Sequence, residues 1–238
     1  MREGDHGEDL ATGAAGQHLL RRARRHGGPG AGGIGGRGGQ HTDLSTDQAL
    51  DLLRKGNAAF VADAPSPPAE THKRRLEIAR GQAPFAVLVG CSDSRVPPEL
   101  LFGRGLGELF VIRVAGNTVD TAAQGSIEYA VAELGVPLVV VLGHERCGVV
   151  AAAVAVVERN ATFPGSIGDL VGPIIPAVLK AKGQPGDLLD NAVRENVRRV
   201  VGRLHEAGPI LPEAERAGKL KIVGARYDLD EGKVEFLD

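Results

Sequence analysis

The sequence has few of the features that mark several large classes of protein. It contains only two cysteines, Cys91 and Cys147, in 238 residues, too few for a secreted fold held together by disulfides. Its net charge is only −2, whereas proteins that bind nucleic acid or anionic membranes carry a clustered basic excess. No apolar run approaches the roughly 18 residues that a membrane-spanning helix needs. We therefore expect a soluble protein without nucleic-acid or membrane partners, and the free cysteines favour the reducing cytoplasm.

The first 41 residues differ in composition from the rest of the chain. They hold 13 of the 34 glycines, and the glycine-rich run at 27–39 has almost no side chains to bury, so it cannot offset the entropy lost on ordering. Two arginine pairs at 21–25 precede this run, but the apolar segment of a twin-arginine export signal is missing. We expect residues 1–41 to be a disordered tail, or the product of a start codon assigned too far upstream, and residues 42–238 to be one folded domain.

The rest of the sequence alternates between strand and helix patterns. A capping box, Ser45-x-x-Gln48, predicts the start of a first amphipathic helix. Four continuous apolar runs have the pattern of strands buried on both faces: Phe85–Val89, Leu109–Val114, Leu138–Leu142 and Leu220–Ala225. Further helical patterns occupy Lys73–Arg80, Thr121–Leu134, Val149–Glu158 and Asp187–His205, and the Gly/Pro clusters at 164–168 and 183–186 read as loops. This alternation predicts an α/β domain with a mostly parallel central sheet flanked by helices.

Two polar clusters directly follow predicted strands. The run from Cys91 to Arg95 comes after the first strand, and the run from His144 to Cys147 comes after the third. Ligand sites in parallel sheets form at the carboxyl ends of strands, so these clusters can converge although they are far apart in sequence. Gly148 follows the second cluster at the start of a helix, where its backbone N–H can face an anion.

The side chains of the two clusters suit a zinc ion. Two thiolates and an imidazole, from Cys91, Cys147 and His144, are ligands that zinc accepts together. A fourth position left open to water distinguishes a catalytic zinc from a structural one. Arg95 can hold the Asp93 carboxylate through two hydrogen bonds and so keep it off the metal. Either cluster alone would be read as buried core residues, but their occurrence together favours a metal site.

These residues resemble the β-class carbonic anhydrases, whose hallmark is Cys-x-Asp-x-Arg followed further along the chain by His-x-x-Cys. The resemblance runs from about residue 50 to the end of the chain. It is carried, in order, by Gly81-Gln82, Cys91–Pro98, Phe110–Asn117, Ser126–Ala130 and Gly143–Gly148.

The resemblance implies a function and a set of roles. The function is the reversible hydration of carbon dioxide to bicarbonate and a proton by a zinc-bound hydroxide, with one Zn²⁺ per subunit. The implied zinc ligands are Cys91, His144 and Cys147. Asp93 is either paired to Arg95, in the active form, or bound to zinc as the fourth ligand, in an inactive form.

The resemblance also implies a substrate pocket and an assembly. Gln82 matches a hydrogen-bond donor to the substrate, and Phe110 and Tyr129 match apolar walls of the pocket. Family members form homodimers or multiples of dimers that share pocket residues, so the helix starting at Ser45 is expected to pack on a partner subunit. Some bacterial relatives carry an inhibitory bicarbonate pocket built with tryptophan, and the absence of tryptophan here argues against that regulation.

Three other hypotheses compete with the interpretation as a carbonic anhydrase. The first is a non-catalytic binding or regulatory protein of the same fold, with Asp93 closing the metal site permanently; the presence of Arg95 argues against it. The second is a nucleotide-binding protein, but the glycines at 103–107 precede a predicted strand instead of following one. The third is a redox protein, which lacks the usual Cys-x-x-Cys pair.

Overall fold

A five-stranded sheet forms the centre of the protein. The structure is a computed structural model that describes residues 41–64 and 70–237. The strands are β1 (Ala86–Gly90), β2 (Leu109–Arg113), β3 (Leu138–His144), β4 (Lys221–Tyr227) and β5 (Val234–Leu237). Their order is β2-β1-β3-β4-β5, and only β5 runs antiparallel to its neighbour. The predicted α/β fold with a mostly parallel sheet is therefore confirmed.

Nine α-helices of the described residues surround the sheet. They are α1 (Thr46–Val61), α2 (His72–Ile78), α3 (Pro98–Leu101), α4 (Thr121–Ala132), α5 (Gly148–Arg159), α6 (Ser166–Val171), α7 (Ile175–Ala181), α8 (Leu188–His205) and α9 (Ile210–Arg216), with 3₁₀ turns at Ala115–Asn117 and Gly172–Ile174. The capping box at the start of α1 is present, since Ser45 Oγ accepts from Gln48 N and Gln48 Oε1 accepts from Ser45 N. Among the described residues, no helix has both the length and the apolar character required to cross a membrane.

The structure corrects several sequence predictions. The segment at 164–168 is not wholly a loop, because α6 begins at Ser166. Strand β5 and helices α3, α6, α7 and α9 were not predicted. Each of these elements has only four to seven residues, too few for a hydrophobic period to stand out. Residues 1–40 of the predicted tail lie outside the described residues.

The sheet is buried on both faces at its centre. All residues of β1 and β3 are buried, as their continuous apolar sequences predict. Side chains such as Val87 and Val141 pack on one face with α4, α8 and α9, and side chains such as Leu88 and Val140 pack on the other with α1. A third apolar cluster, between α5, α7 and α8, surrounds Cys91 and Cys147.

Parallel pairing brings the ends of β1, β2 and β3 to one edge of the sheet. Gly90 at the end of β1 is paired with Arg113 of β2 and with Leu142 of β3. Helix α8 packs closely over this edge because residue 143 is a glycine: a Cβ there would lie 2.6 Å from Val197 Cγ2. The polar segments that follow β1 and β3 therefore start side by side.

Candidate metal centre

Three potential metal ligands meet at this edge of the sheet. Cys91 directly follows β1, His144 is the last residue of β3, and Cys147 is the residue before α5. Their relative exposures are 4%, 0% and 1%. The two sulfur atoms and one imidazole nitrogen all lie within 4.8 Å of one another. The structure thus brings together the three side chains predicted to bind zinc.

The geometry of this cluster fits a zinc ion. Nδ1 of His144 lies 2.9 Å from the carbonyl oxygen of Glu145, so Nδ1 carries the proton and Nε2 has a free lone pair. Nε2 is buried and has no hydrogen-bond partner among the residues that the structure describes, which is unfavourable unless a ligand satisfies it. The two sulfur atoms are 4.0 Å apart, close to the roughly 3.8 Å between two thiolates that each lie about 2.3 Å from a tetrahedral zinc.

The electrostatics of the two thiols also favour a cation. The hydrogen bond between the two thiols lowers the pKa of Cys91 despite its burial. The same hydrogen bond, together with burial, raises the pKa of Cys147, although hydrogen bonds from the backbone N–H groups of Val149 and Val150 act to lower it. Two adjacent thiolates repel each other in a buried site, so the second proton leaves readily only when a cation compensates the charge.

Asp93 lies beside the three ligands and is held by Arg95. The Arg95 side chain donates from Nε to Oδ1 at 2.9 Å and from Nη2 to Oδ2 at 2.7 Å, and its backbone N donates to Oδ1 at 2.9 Å. These hydrogen bonds hold the pKa of Asp93 well below its usual range. Oδ2 is 3.8 Å from Nε2 of His144. A carboxylate therefore stands next to the cluster with its charge already paired.

Arg113 and Gly116 support the segment that carries Cys91. Arg113, at the end of β2, donates from Nε to the Cys91 carbonyl at 2.9 Å and from Nη2 to the Asp93 carbonyl at 2.5 Å. The backbone N of Gly116 donates to Cys91 Sγ at 3.2 Å. The sequence motifs indicate no role for either residue. The available signal was their place in the segment Phe110–Asn117, directly after a predicted strand.

Comparison with known proteins identifies the family. The sequence model of the carbonic anhydrase family matches residues 86–234. Carbonic anhydrase 2 of Mycobacterium tuberculosis is 42% identical over 190 residues, which cover 80% of this chain and 92% of that protein. A carbonic anhydrase of Mycolicibacterium smegmatis is 40% identical over 188 residues, with 79% and 91% covered. A tetrameric β-carbonic anhydrase of Sordaria macrospora superposes with a TM-score of 0.63 at 27% identity, over 80% of this chain and 97% of that one.

This chain belongs to the β-carbonic anhydrase family. A second solved member, the Coccomyxa enzyme in complex with acetazolamide, has a TM-score of 0.60 at 26% identity, with 79% of this chain and 81% of that one covered.

The four residues that match the pocket of β-carbonic anhydrases differ in exposure and in their place in the fold. Gln82 is exposed in the segment before β1, and Tyr129 on α4 is 42% exposed. Phe110 is half-buried on the edge strand β2 and packs against the core. Gly148 is exposed at the first position of α5. Within the described residues, none of the four makes a hydrogen bond to Cys91, His144 or Cys147, so their roles in the pocket stay predictions.

Proposed function

We propose that this chain catalyses the reversible hydration of carbon dioxide to bicarbonate and a proton, with one Zn²⁺ per subunit held by Cys91, His144 and Cys147. The observation that carries the proposal is the buried cluster of two thiols and one imidazole nitrogen within 4.8 Å, next to a carboxylate paired with Arg95; within the described part of the chain, that nitrogen has no hydrogen-bond partner. Relatives at about 40% identity named carbonic anhydrase support it. Three protein ligands would leave a fourth coordination position of a bound zinc free for the reaction.

Asp93 and Arg95 give this site its catalytic character. When bound, zinc would act as a Lewis acid that lowers the pKa of water, and so would provide a nucleophile for carbon dioxide near neutral pH. Asp93 would accept a hydrogen bond from that nucleophile and so orient the nucleophile's lone pair. Its position suits this role, since Oδ2 lies 3.8 Å from Nε2 of His144. Arg95 lowers the pKa of Asp93 and holds both carboxylate oxygens with its side chain, so that Asp93 is kept in place as a hydrogen-bond acceptor.

The Asp93–Arg95 pair also separates an enzyme from a protein with a closed metal site. A permanent fourth ligand would have its oxygens directed at the metal. Here both oxygens of Asp93 accept hydrogen bonds from the Arg95 side chain. This arrangement supports the open, catalytic site over the closed one.

The substrate pocket is proposed to need a second subunit. Gln82 donates a hydrogen bond to the substrate, Phe110 and Tyr129 form an apolar wall, and the Gly148 N–H at the start of α5 faces the anionic product. Because Gln82 and Tyr129 are exposed in the single chain, we propose that a partner covers them in a homodimer or a multiple of dimers. Helix α1 would then pack on the partner.

We also propose a domain boundary and a cellular compartment for this chain. We propose that residues 42–238 form the catalytic domain. Both cysteines are free, and the cytoplasm would keep them reduced and available to zinc.

A kinetic experiment tests the proposal. Carbon dioxide hydration is followed by stopped flow in mildly alkaline buffer with zinc-loaded wild type, Asp93→Asn and the control Asp51→Asn, whose side chain is 59% exposed on α1. We expect rapid hydration in the wild type and the control, and its loss in Asp93→Asn at unchanged zinc content. A folded, fully metallated wild type without hydration activity would instead indicate the closed-site binding protein.

A further inference from the structure

A buried asparagine on α8 lies behind the metal-binding cluster. Asn196 is only 2% exposed and lies four residues from both Ala192 and Val200 on the apolar face of this helix. Burial of a side-chain amide costs free energy unless the amide is hydrogen-bonded. A polar residue in this position therefore depends on a specific partner.

The hydrogen-bond partner of Asn196 is Gly116, which itself contacts the proposed metal ligand Cys91. Nδ2 of Asn196 donates to the Gly116 carbonyl at 2.9 Å, between residues 80 positions apart. The N–H of Gly116 donates to Cys91 Sγ at 3.2 Å. The side chain of Asn196 is thus connected to the ligand sulfur through a single residue.

Gly116 depends on its neighbours for its conformation. Its φ of 72° and ψ of 19° lie in the left-handed region, and a Cβ would come within 2.8 Å of Ile174 Cδ1 and 3.3 Å of Val149 Cγ1. Glycine is favoured at this position, but glycine also has the widest range of alternative backbone angles. The hydrogen bond from Asn196 restricts that range by holding the carbonyl group.

We propose that Asn196 is a positioning residue of the metal centre, which aims the Gly116 N–H at the Cys91 sulfur. This inference rests on the proposed zinc site and adds to it a residue outside both ligand motifs. A hydrogen bond to the ligand sulfur stabilises the thiolate and fixes its orientation toward the metal. Groups that hydrogen-bond a metal ligand directly typically contribute about 10- to 100-fold to metal affinity, and Asn196 holds one such group, the Gly116 N–H.

Two variants and a matched control test the role of Asn196. Asn196→Leu removes the donor at similar volume, and Asn196→Asp keeps the shape but places an oxygen opposite the Gly116 carbonyl. The control is Asn57→Leu on α1: Asn57 is 5% exposed and donates to the Gly232 carbonyl at 2.9 Å. Zinc affinity is measured by competition with a chromophoric chelator, the thiolate-to-metal charge-transfer band in the Co²⁺-substituted protein, and stability by thermal unfolding.

We expect both Asn196 variants to bind zinc about 10- to 100-fold more weakly than the wild type. Their cobalt charge-transfer band should move to longer wavelength, because a sulfur that loses a hydrogen bond gives up its electrons more easily. Asn57→Leu should lower the melting temperature and leave both metal readouts unchanged. If Asn196→Leu does not fold, Asn196→Asp decides the question alone.

Three outcomes would overturn the inference. Wild-type zinc affinity and an unchanged cobalt spectrum in the Asn196 variants would reduce Asn196 to a packing role. An equal loss of zinc affinity in Asn57→Leu would attribute the effect to general destabilisation. A wild type that takes up no zinc would contradict the proposed function as well as the role of Asn196. If the wild type binds stoichiometric zinc and the variants bind it equally well, only the role of Asn196 is contradicted and the proposed function is not.

Discussion

Replacement of Arg95 by methionine tests whether this residue keeps Asp93 away from the metal. The change removes two charge-assisted hydrogen bonds, of 2.9 and 2.7 Å, and leaves only the backbone N–H of residue 95 on Oδ1. Asp93 Oδ2 already lies 3.8 Å from Nε2 of His144. Without its partner, the carboxylate has only a short distance to move before it occupies the position meant for the nucleophile.

The expected loss of activity is large. Removal of a positioned acid–base group typically costs about 100- to 10,000-fold in rate, and a displaced Asp93 is functionally equivalent to a missing one. We therefore expect kcat/KM of Arg95→Met to fall by about 100-fold or more. Zinc content should not fall, because the displaced carboxylate adds a ligand.

The pH dependence of the activity of Arg95→Met distinguishes a displaced Asp93 from an Asp93 that has lost its charge. Loss of the Arg95 hydrogen bonds should raise the pKa of Asp93 toward its ordinary value of about 3.9. That value is still far below neutral pH, so Asp93 stays ionised in the variant. The activity should therefore be low throughout the neutral and alkaline range, with no new ionisation in the pH–rate profile.

The assay is carbon dioxide hydration by stopped flow, with zinc content measured on the same samples. Arg54→Met is the control, because Arg54 is exposed on α1 with 55% of its side chain accessible. Arg95→Lys should be intermediate, since an ammonium cannot bind both carboxylate oxygens as a guanidinium does. Wild-type kcat/KM in fully metallated Arg95→Met would refute the reasoning.

Three further predictions address the ligands, the turn beside them and the stability of the fold. Cys147→Ser should lose zinc and hydration activity together, because a serine hydroxyl is a poor zinc ligand; metal analysis and stopped flow check this. Gly116→Ala should lower the free energy of unfolding by about 1–3 kcal/mol, since its φ is 72° and its Cβ would meet Ile174 at 2.8 Å; urea denaturation measures the loss, and an unchanged midpoint would contradict it. Asp228 has a pKa lowered by the backbone N–H of Glu231, so it stabilises the folded state above about pH 4 and loses this contribution as the pH falls further. The stability difference between wild type and Asp228→Asn should therefore be largest near neutral pH and shrink in acid, and a constant difference across urea titrations would contradict this assignment.

Parts of the fold with a strong local signal can be predicted from the sequence. The continuous apolar runs of β1 and β3 indicate strands covered on both faces, and the Ser45 capping box marks the start of α1. Strand β5 has no comparable signal, because it has four residues and only Val234 among them is buried. Helix α6 has only six residues and begins inside a cluster of glycine and proline.

The candidate metal ligands can be identified from local sequence patterns, whereas the residues that surround them depend on the tertiary structure. Cys-x-Asp-x-Arg and His-x-x-Cys are local patterns, and strand ends at one edge of a parallel sheet bring them together. Arg113, Gly116 and Asn196 have no such pattern. Arg113 and Gly116 donate to Cys91 across separations of 22 and 25 residues, and Asn196 donates to Gly116 across 80. Hydrogen bonds over these separations depend on how strands pair and how α8 packs, which no local pattern in the chain encodes.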